Sequence, residues 1–143
     1  MNIKFGTSGW RAIIGKEFTF FNLRRVCRAI AKYIRDHQLQ QQGIIIGYDT
    51  RSLSPEFARA SARTLAENKI KVWLTCRDAP TPVIACQILR KKAAGAINIT
   101  ASHNPPEYNG IKFSPAYGGP APVEVTSEIE RNIRSEFSLP AGK

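Results

Sequence analysis

Gly43-Ile44-Ile45-Ile46-Gly47-Tyr48-Asp49-Thr50-Arg51-Ser52-Leu53-Ser54-Pro55-Glu56 is the stretch whose reading decides the fold. Three consecutive isoleucines are too few for a helix, and a β-branched run of this kind suits a strand buried on both faces. Ser54-Pro55-Glu56 then reads as a helix start. Ser is a good N-cap, Pro fits the first helical position, and Glu suits the positive end of the helix dipole. A strand passing within a few residues into a helix is one βα unit.

The pattern repeats on both sides. Upstream, Leu23, Val26, Cys27, Ile30, Ala31 and Ile34 lie at i, i+3, i+4, i+7, i+8 and i+11, which is one apolar stripe of a helix spanning 20–37. Arg24, Arg25, Arg28, Lys32 and Arg35 fall mostly off that stripe. Downstream, an Ala-rich helix runs to about Asn68, and Ile70-Lys71-Val72-Trp73-Leu74 reads as a strand. Thr81-Pro82 opens a helix carrying Ile84, Ile88 and Leu89, Ala96 to Thr100 reads as a strand, and Ile111-Lys112-Phe113 as a short one. Thr126 or Ser127 is expected to cap a last helix containing Ile129 and Ile133. The alternation predicts a single α/β domain over 1–143, a three-layer α/β/α sandwich with a mainly parallel, mixed sheet. Pro115 to Pro122 reads as a loop and as the approach to a boundary.

Composition narrows the class. The chain has 143 residues, 43% hydrophobic and 22% charged, which fits a globular domain able to bury about two-thirds of its unfolded surface. No apolar run approaches the ~18 residues of a membrane span, and the first residues lack a signal-peptide core, so a cytoplasmic protein is expected. Cys27, Cys76 and Cys86 form no close pair and have largely apolar neighbours, so they read as reduced core thiols. Asn98-Ile99-Thr100 matches a glycosylation acceptor only formally, since it falls in an expected buried strand. The net charge of +10 admits nucleic acid, an anionic membrane, a phosphorylated small molecule, or one part of a more balanced parent.

Open sheets of this type bind ligands at the carboxyl ends of their strands. Gly47 to Ser52 and Thr100 to Lys112 follow two of the expected strands, and Phe5-Gly6-Thr7-Ser8-Gly9-Trp10-Arg11 packs two glycines, two hydroxyls and an arginine into seven residues. These segments are rich in anion donors, with Arg11, Arg51, His103, Asn104 and Lys112, and with backbone N–H groups that glycine turns can bring together. Neither a Walker-type GxxxxGK[ST] nor a strand-following GxGxxG is present, and no helix-turn-helix pair, zinc finger or RNP motif occurs. Ser102-His103-Asn104 sets a hydroxyl, an imidazole and an amide in sequence at a strand exit. A serine carrying a phosphoryl group would present about −2 charges for Lys, Arg, His or a divalent metal to stabilise. The plainer reading is a polar turn before two prolines, with His103 on the surface.

Three motifs in this order favour the first reading. Phe5-Gly6-Thr7-Ser8-Gly9-Trp10-Arg11, Gly47-Tyr48-Asp49-Thr50-Arg51, and Thr100-Ala101-Ser102-His103-Asn104-Pro105 through Asn109-Gly110-Ile111-Lys112 resemble the first domain of the α-D-phosphohexomutases, the phosphoglucomutase/phosphomannomutase enzymes. The resemblance covers nearly the whole chain. It implies interconversion of hexose 1-phosphates and 6-phosphates through a hexose 1,6-bisphosphate, which serves as activator and intermediate. It also implies that Ser102 carries the phosphoryl group, with Mg²⁺ bound to one of its oxygens. His103 would then be an acid/base residue and Lys112 a stabiliser of the phosphoryl group or an aid to proton transfer. Arg11 would face the phosphoserine and the bisphosphate, with Asn104 beside the substrate. Thr7 and Ser8 would line the site, although a capping or turn role fits equally well.

Asp49 and Arg51 read as an ion pair or loop brace ahead of direct substrate contact, and His37 as a solvated residue at a helix end without function. Two departures from the family pattern stand out. Ala12 follows Arg11 where many relatives have Gly, and no Asp-x-Asp-x-Asp metal run is present, Asp occurring only at positions 36, 49 and 78. The expected partners are therefore a phosphosugar and the remaining domains of a parent enzyme, with no nucleic acid or membrane, and the isolated domain is expected to be inactive. The alternative is a stand-alone basic module binding phosphate esters or nucleic acid. A third reading keeps the fold without catalysis.

Overall fold

The computed structural model describes residues 1–140. In chain order the elements are β1 (Trp10–Ile13), α1 (Phe20–Asp36), β2 (Ile44–Tyr48), α2 (Ser54–Glu67), β3 (Val72–Leu74), α3 (Thr81–Lys91), β4 (Gly95–Ile99), β5 (Tyr108–Pro115) and α4 (Val123–Ser138). The five strands form one mixed sheet in the order β1-β5-β4-β2-β3. β2 runs parallel to β3 and β4, while β5 runs antiparallel to both β4 and β1.

The isoleucine run shows how the layers form. Successive strand side chains point to opposite faces. Ile44 and Ile46 are wholly buried in the cluster with α1, α2 and α4, whereas Ile45 packs with Ile84 and Ile88 of α3 on the other face. β4 repeats this, with Ile97 and Ile99 in the first cluster and Ala96 in the second. The expected three layers are present, and they are unequal: three helices cover one face and α3 alone covers the other.

The larger core gathers aromatic rings. Phe18 stacks on Trp10 at 4.9 Å between centroids and meets Phe57 edge-on at 4.9 Å. α4 lies along α1, and their seam is closed by Arg25, which is 8% exposed. Its guanidinium sits 4.3 Å from the Phe137 ring and donates to the Glu136 and Leu139 carbonyls at the end of α4. A cation at a helix C-terminus satisfies carbonyls that have no partner within the helix. His37 ends α1, stacks on Tyr33 at 4.5 Å and pairs with Glu128 of α4 at 2.9 Å. It is an exposed residue, as expected, but one with a structural partner.

Several expectations are corrected. Ser54 does not cap α2. Leu53, at φ 62°, takes the cap position, and Ser54 is the first helical residue, with its hydroxyl donated to Asp49 Oδ1 at 2.8 Å. α4 starts at Val123 behind Pro122, one turn before Thr126, so neither Thr126 nor Ser127 is its cap. Because β5 extends to Pro115 and α4 packs on α1, the Pro115–Pro122 stretch is a connection inside the fold rather than the approach to a boundary. β1 escapes a sequence reading because it is four residues long and follows a glycine turn. Asn98 is 3% exposed within β4, in line with discounting it as a glycosylation site.

The cysteines divide. Cys27 is buried in α1, but Cys76 and Cys86 are exposed. α3 buries only Ile84 and Ile88, and Cys86 falls on its outer face, while Cys76 lies in the turn after β3. Burial pushes the Cys27 thiol up from 9.0 to about 12. A thiol-reagent titration of the native protein should therefore find two fast thiols and a third only on unfolding. The unfolded chain loses the Cys27 proton near 9 while the folded chain keeps it to about 12, so this group's contribution is intact below pH 9. It is lost as pH rises towards 12, by about 1.4 kcal/mol per pH unit. Denaturant melts of Cys27→Ala should show a shallower alkaline fall than the parent protein.

Candidate active site

The sheet reverses its helical connections between β2 and β4, since α2 returns on one face and α3 on the other. A crevice opens at the carboxyl ends of strands at such a point. Here it has a volume of about 630 Å³ and is lined by Tyr48, Arg51, Thr81, Asn98, Ser102 and Asn104, among others. Two loops form its rim, the one after β2 and the one joining β4 to β5.

The second loop carries Ser102 and is built on a backbone irregularity. Ser102 has φ 53°, in the left-handed region, which costs a non-glycine residue about 1 kcal/mol or more. Local bonds shape the turn: Ser102 N–H donates to Thr100 Oγ1 at 3.0 Å and Asn104 N–H to the Ala101 carbonyl at 3.0 Å. Ala101 is wholly buried and anchors it. The turn presents Ser102 and His103 to solvent, with Ser102 Oγ 3.2 Å from His103 Nδ1.

Arg51 holds this loop from below. Its Nη1 donates to the Pro105 carbonyl at 2.8 Å and the Tyr108 carbonyl at 3.1 Å. Its Nη2 donates to the Ser102 carbonyl at 2.7 Å and the Asn104 carbonyl at 2.6 Å. Its Nε faces Asp49 Oδ2 at 3.5 Å. Four of the five guanidinium N–H groups thus donate to carbonyls, and the side chain is only 13% exposed. Asp49 Oδ1 accepts from the Arg51 N–H at 3.0 Å and from Ser54 Oγ, which in turn accepts from Asn109 Nδ2 at 2.9 Å. Asn109 Oδ1 accepts from Gly110 N–H at 2.8 Å. Hydrogen bonds therefore run without a break from the end of β2, under the Ser102 loop, into β5. The brace role expected for Asp49 and Arg51 is the one they occupy. The Ser54–Asn109 link could not be found in sequence, because the two residues lie 55 positions apart and Ser54 reads as a cap.

Arg11 reaches the loop from β1, where it pairs with Gly110. A side chain at Gly110 would put its Cβ 2.6 Å from the Thr100 carbonyl oxygen and 2.9 Å from Arg11 Cγ, so glycine is what allows the close approach. Arg11 Nη1 donates to Asn104 Oδ1 at 2.9 Å, and its buried Nε has no partner among the described residues. Lys112 projects from β5 opposite Asn98 of β4 and makes no ion pair among the described residues. Thr7 and Ser8 are exposed in the tight Gly6–Gly9 turn, where Thr7 Oγ1 donates to the Ala121 carbonyl at 3.5 Å. Neither bonds to the Ser102 loop. The structure thus places Ser102, His103 and Asn104 on one loop, brings Arg11 of β1 to Asn104, and sets Lys112 on the strand beyond.

Among the described residues no group of three His, Cys, Asp or Glu could hold an ion, and Asp49 is committed to Arg51 and Ser54. A phosphoryl oxygen on Ser102 would add a single ligand. These residues alone do not fit a magnesium site.

Comparison with known proteins agrees with this geometry. Residues 2–139 match the family model described as phosphoglucomutase/phosphomannomutase, alpha/beta/alpha domain I. A phosphoglucomutase of Staphylococcus saprophyticus is 32% identical over 93% of this chain and 24% of its own. A phosphoglucosamine mutase of Nostoc punctiforme is 36% identical over 96% of this chain and 28% of its own. Among solved structures, a Thermus thermophilus protein described as a phosphomannomutase superposes with TM-score 0.86 at 40% identity, covering 93% of this chain and 30% of that one. The Paramecium phosphoprotein pp63/parafusin, a phosphoglucomutase, superposes with TM-score 0.82 at 27% identity, covering 91% and 25%. The chain spans about a quarter of the length of the curated relatives it matches. With its sheet order, its Ser102 loop and this match, the chain belongs to the phosphoglucomutase/phosphomannomutase family and carries that family's α/β/α domain I.

Proposed function

We propose that this chain is the phosphoserine-bearing domain of a phosphohexomutase, which interconverts a hexose 1-phosphate and a hexose 6-phosphate within a longer cytoplasmic enzyme. The observation that carries this reading is Ser102 itself. It is an exposed hydroxyl in a left-handed turn, held on its carbonyl side by Arg51, with an imidazole at 3.2 Å.

Phosphoryl transfer requires positioning and charge stabilisation more than covalent chemistry from the protein. The bond between phosphorus and Ser102 Oγ breaks as a bond forms from phosphorus to a sugar hydroxyl oxygen. The hydroxyl proton passes to His103, since imidazole exchanges protons near neutral pH. The resulting hexose 1,6-bisphosphate presents its other phosphoryl group, and Ser102 Oγ takes it while a proton returns to the sugar oxygen. Arg11 supplies fixed positive charge from N–H groups not used on Asn104, Asn104 orients that guanidinium, and Lys112 balances the phosphoryl oxygens. No step is assigned to a metal, because the residues present do not form a site for one.

The net charge fits this reading better than a nucleic-acid module. Arg28, Lys32, Arg59 and Arg134 are paired with carboxylates, and Arg25 is buried in the core. These cations serve separate helix contacts instead of a common basic face.

In the complete enzyme, Ser102→Ala should abolish conversion of glucose 1-phosphate to glucose 6-phosphate and eliminate the added phosphoryl group from the intact mass. His103→Ala should lower kcat by about a hundredfold, the usual worth of one general acid/base. Normal turnover in Ser102→Ala would refute the assignment of the phosphoryl carrier.

A further inference from the structure

β3 is the last strand of the sheet, and no strand pairs with its outer side among the described residues. Its inner side is used by alternate residues. Ile44 N–H donates to the Lys71 carbonyl at 2.9 Å and Thr75 N–H to the Ile46 carbonyl at 3.0 Å, and the register sets Trp73 between them, opposite Ile45. In a parallel ladder only every second residue of a strand bonds to a given neighbour. The N–H and C=O groups of Val72 and Leu74 therefore point away from β2. An open row of this kind is a template for a further strand.

The side chains say what kind of strand fits. Trp73 lies on the α3 face with Ile45, and Val72 packs on the opposite face. Leu74 shares the Val72 face through the pleat and is 40% exposed. Two ammonium groups stand over the Trp73 ring, Lys71 Nζ at 4.6 Å and Lys91 Nζ at 5.3 Å from its centroid. The ring holds both by cation–π attraction, and they lie within about one Debye length of each other, ~10 Å at 0.1 M salt. Neither makes an ion pair among the described residues, where the carboxylates pair with other cations. Like charges gathered without a counter-ion favour an anion between them. Pairing of two copies of this chain would set these lysines against each other, with +10 on each copy. Base stacking is disfavoured as well, because the Trp73 ring is already packed on Gly43, where a Cβ would come within 2.5 Å of it.

A residue placed directly across from Trp73 shares its face and stands beside both ammonium groups, which calls for Asp or Glu. The residues on either side of it fall on the other face, where an apolar side chain would cover Leu74. We propose that the outer edge of β3 is a docking site for an extended segment of a partner protein in which apolar and acidic residues alternate. The segment adds as a strand, its backbone bonding to Val72 and Leu74 and its central carboxylate pairing with Lys71 and Lys91. Only two residues of β3 are open, so the main-chain contacts are few and the ion pairs decide which sequence binds. The edge is a strand removed from β4, which leads into the Ser102 loop, and the proposal does not depend on the phosphohexomutase reading.

The test is a nitrogen–proton NMR titration of the ¹⁵N-labelled chain. The probes are a capped peptide of alternating valine and glutamate, its valine–lysine counterpart, and oligothymidylate. The acidic peptide should shift the Val72 and Leu74 amides and the Trp73 indole N–H saturably, with an affinity that falls as salt rises. The lysine peptide and the oligothymidylate should leave them unmoved. Lys71→Glu combined with Lys91→Glu should weaken the acidic peptide by about tenfold or more. Val72→Pro removes an outward N–H without touching a bond to β2, and it should abolish the Leu74 shift. Thermal melts identify which variant is folded, and either one suffices. Ser102→Ala should bind as the parent does. Silent Val72 and Leu74 amides at millimolar acidic peptide, or unchanged affinity in a folded edge variant, overturn the site. Equal shifts from oligothymidylate overturn it too, by showing a general polyanion surface instead of a strand edge.

Discussion

The Arg51 guanidinium is the contact on which the rest of the site depends. A loop leaving a parallel strand and returning as an antiparallel one turns its carbonyls inward, where they need donors. Arg51 supplies four of them from one planar group, and the Asp49 carboxylate pairs with its charge at 3.5 Å. Hydrogen bonds from a charged donor are worth about 1.5–3 kcal/mol each before non-additivity, well above the cost of the left-handed Ser102 backbone. Lysine could not replace it, because a single ammonium cannot reach four carbonyls spread over seven residues. Ser102 is thus held in its exposed geometry by a residue on a different loop, the one after β2.

That dependence explains what could be read from the sequence. The isoleucine run, the 20–37 stripe and the Thr81-Pro82 start declare themselves through local periodicity, and the layers follow from strand alternation. The Ser102 segment was legible through its composition and its family resemblance. Features that arise from pairing between distant segments were not. β1 exists because β5 is there to pair with it, and the Asp49–Ser54–Asn109 chain forms only once β2 and β5 are brought together. Ser54 misled for the same reason, since its hydroxyl serves the loop and leaves the cap position to Leu53. Cys86 misled because apolar neighbours in sequence do not guarantee a buried face on a helix as lightly covered as α3, and Cys76 because it lies in the exposed turn after β3.

The fold also explains which groups meet at this end of the sheet. Its sheet delivers Ser102, His103, Arg11 and Lys112 to one end, but it gathers no carboxylate cluster there among the described residues. The chain spans about a quarter of the length of the curated relatives it matches.

Amide hydrogen exchange across residues 100–110 in Arg51→Ala, set against the parent protein, tests the central claim most directly. The account predicts that the Ser102, Asn104 and Tyr108 amides, each bonded inside the braced loop, exchange about a hundredfold faster, while the β2 and β4 amides keep their protection. Arg51→Lys should behave like the alanine variant. Unchanged protection of those three amides in a folded Arg51→Ala protein would show that the loop holds Ser102 without the arginine, and would contradict the account.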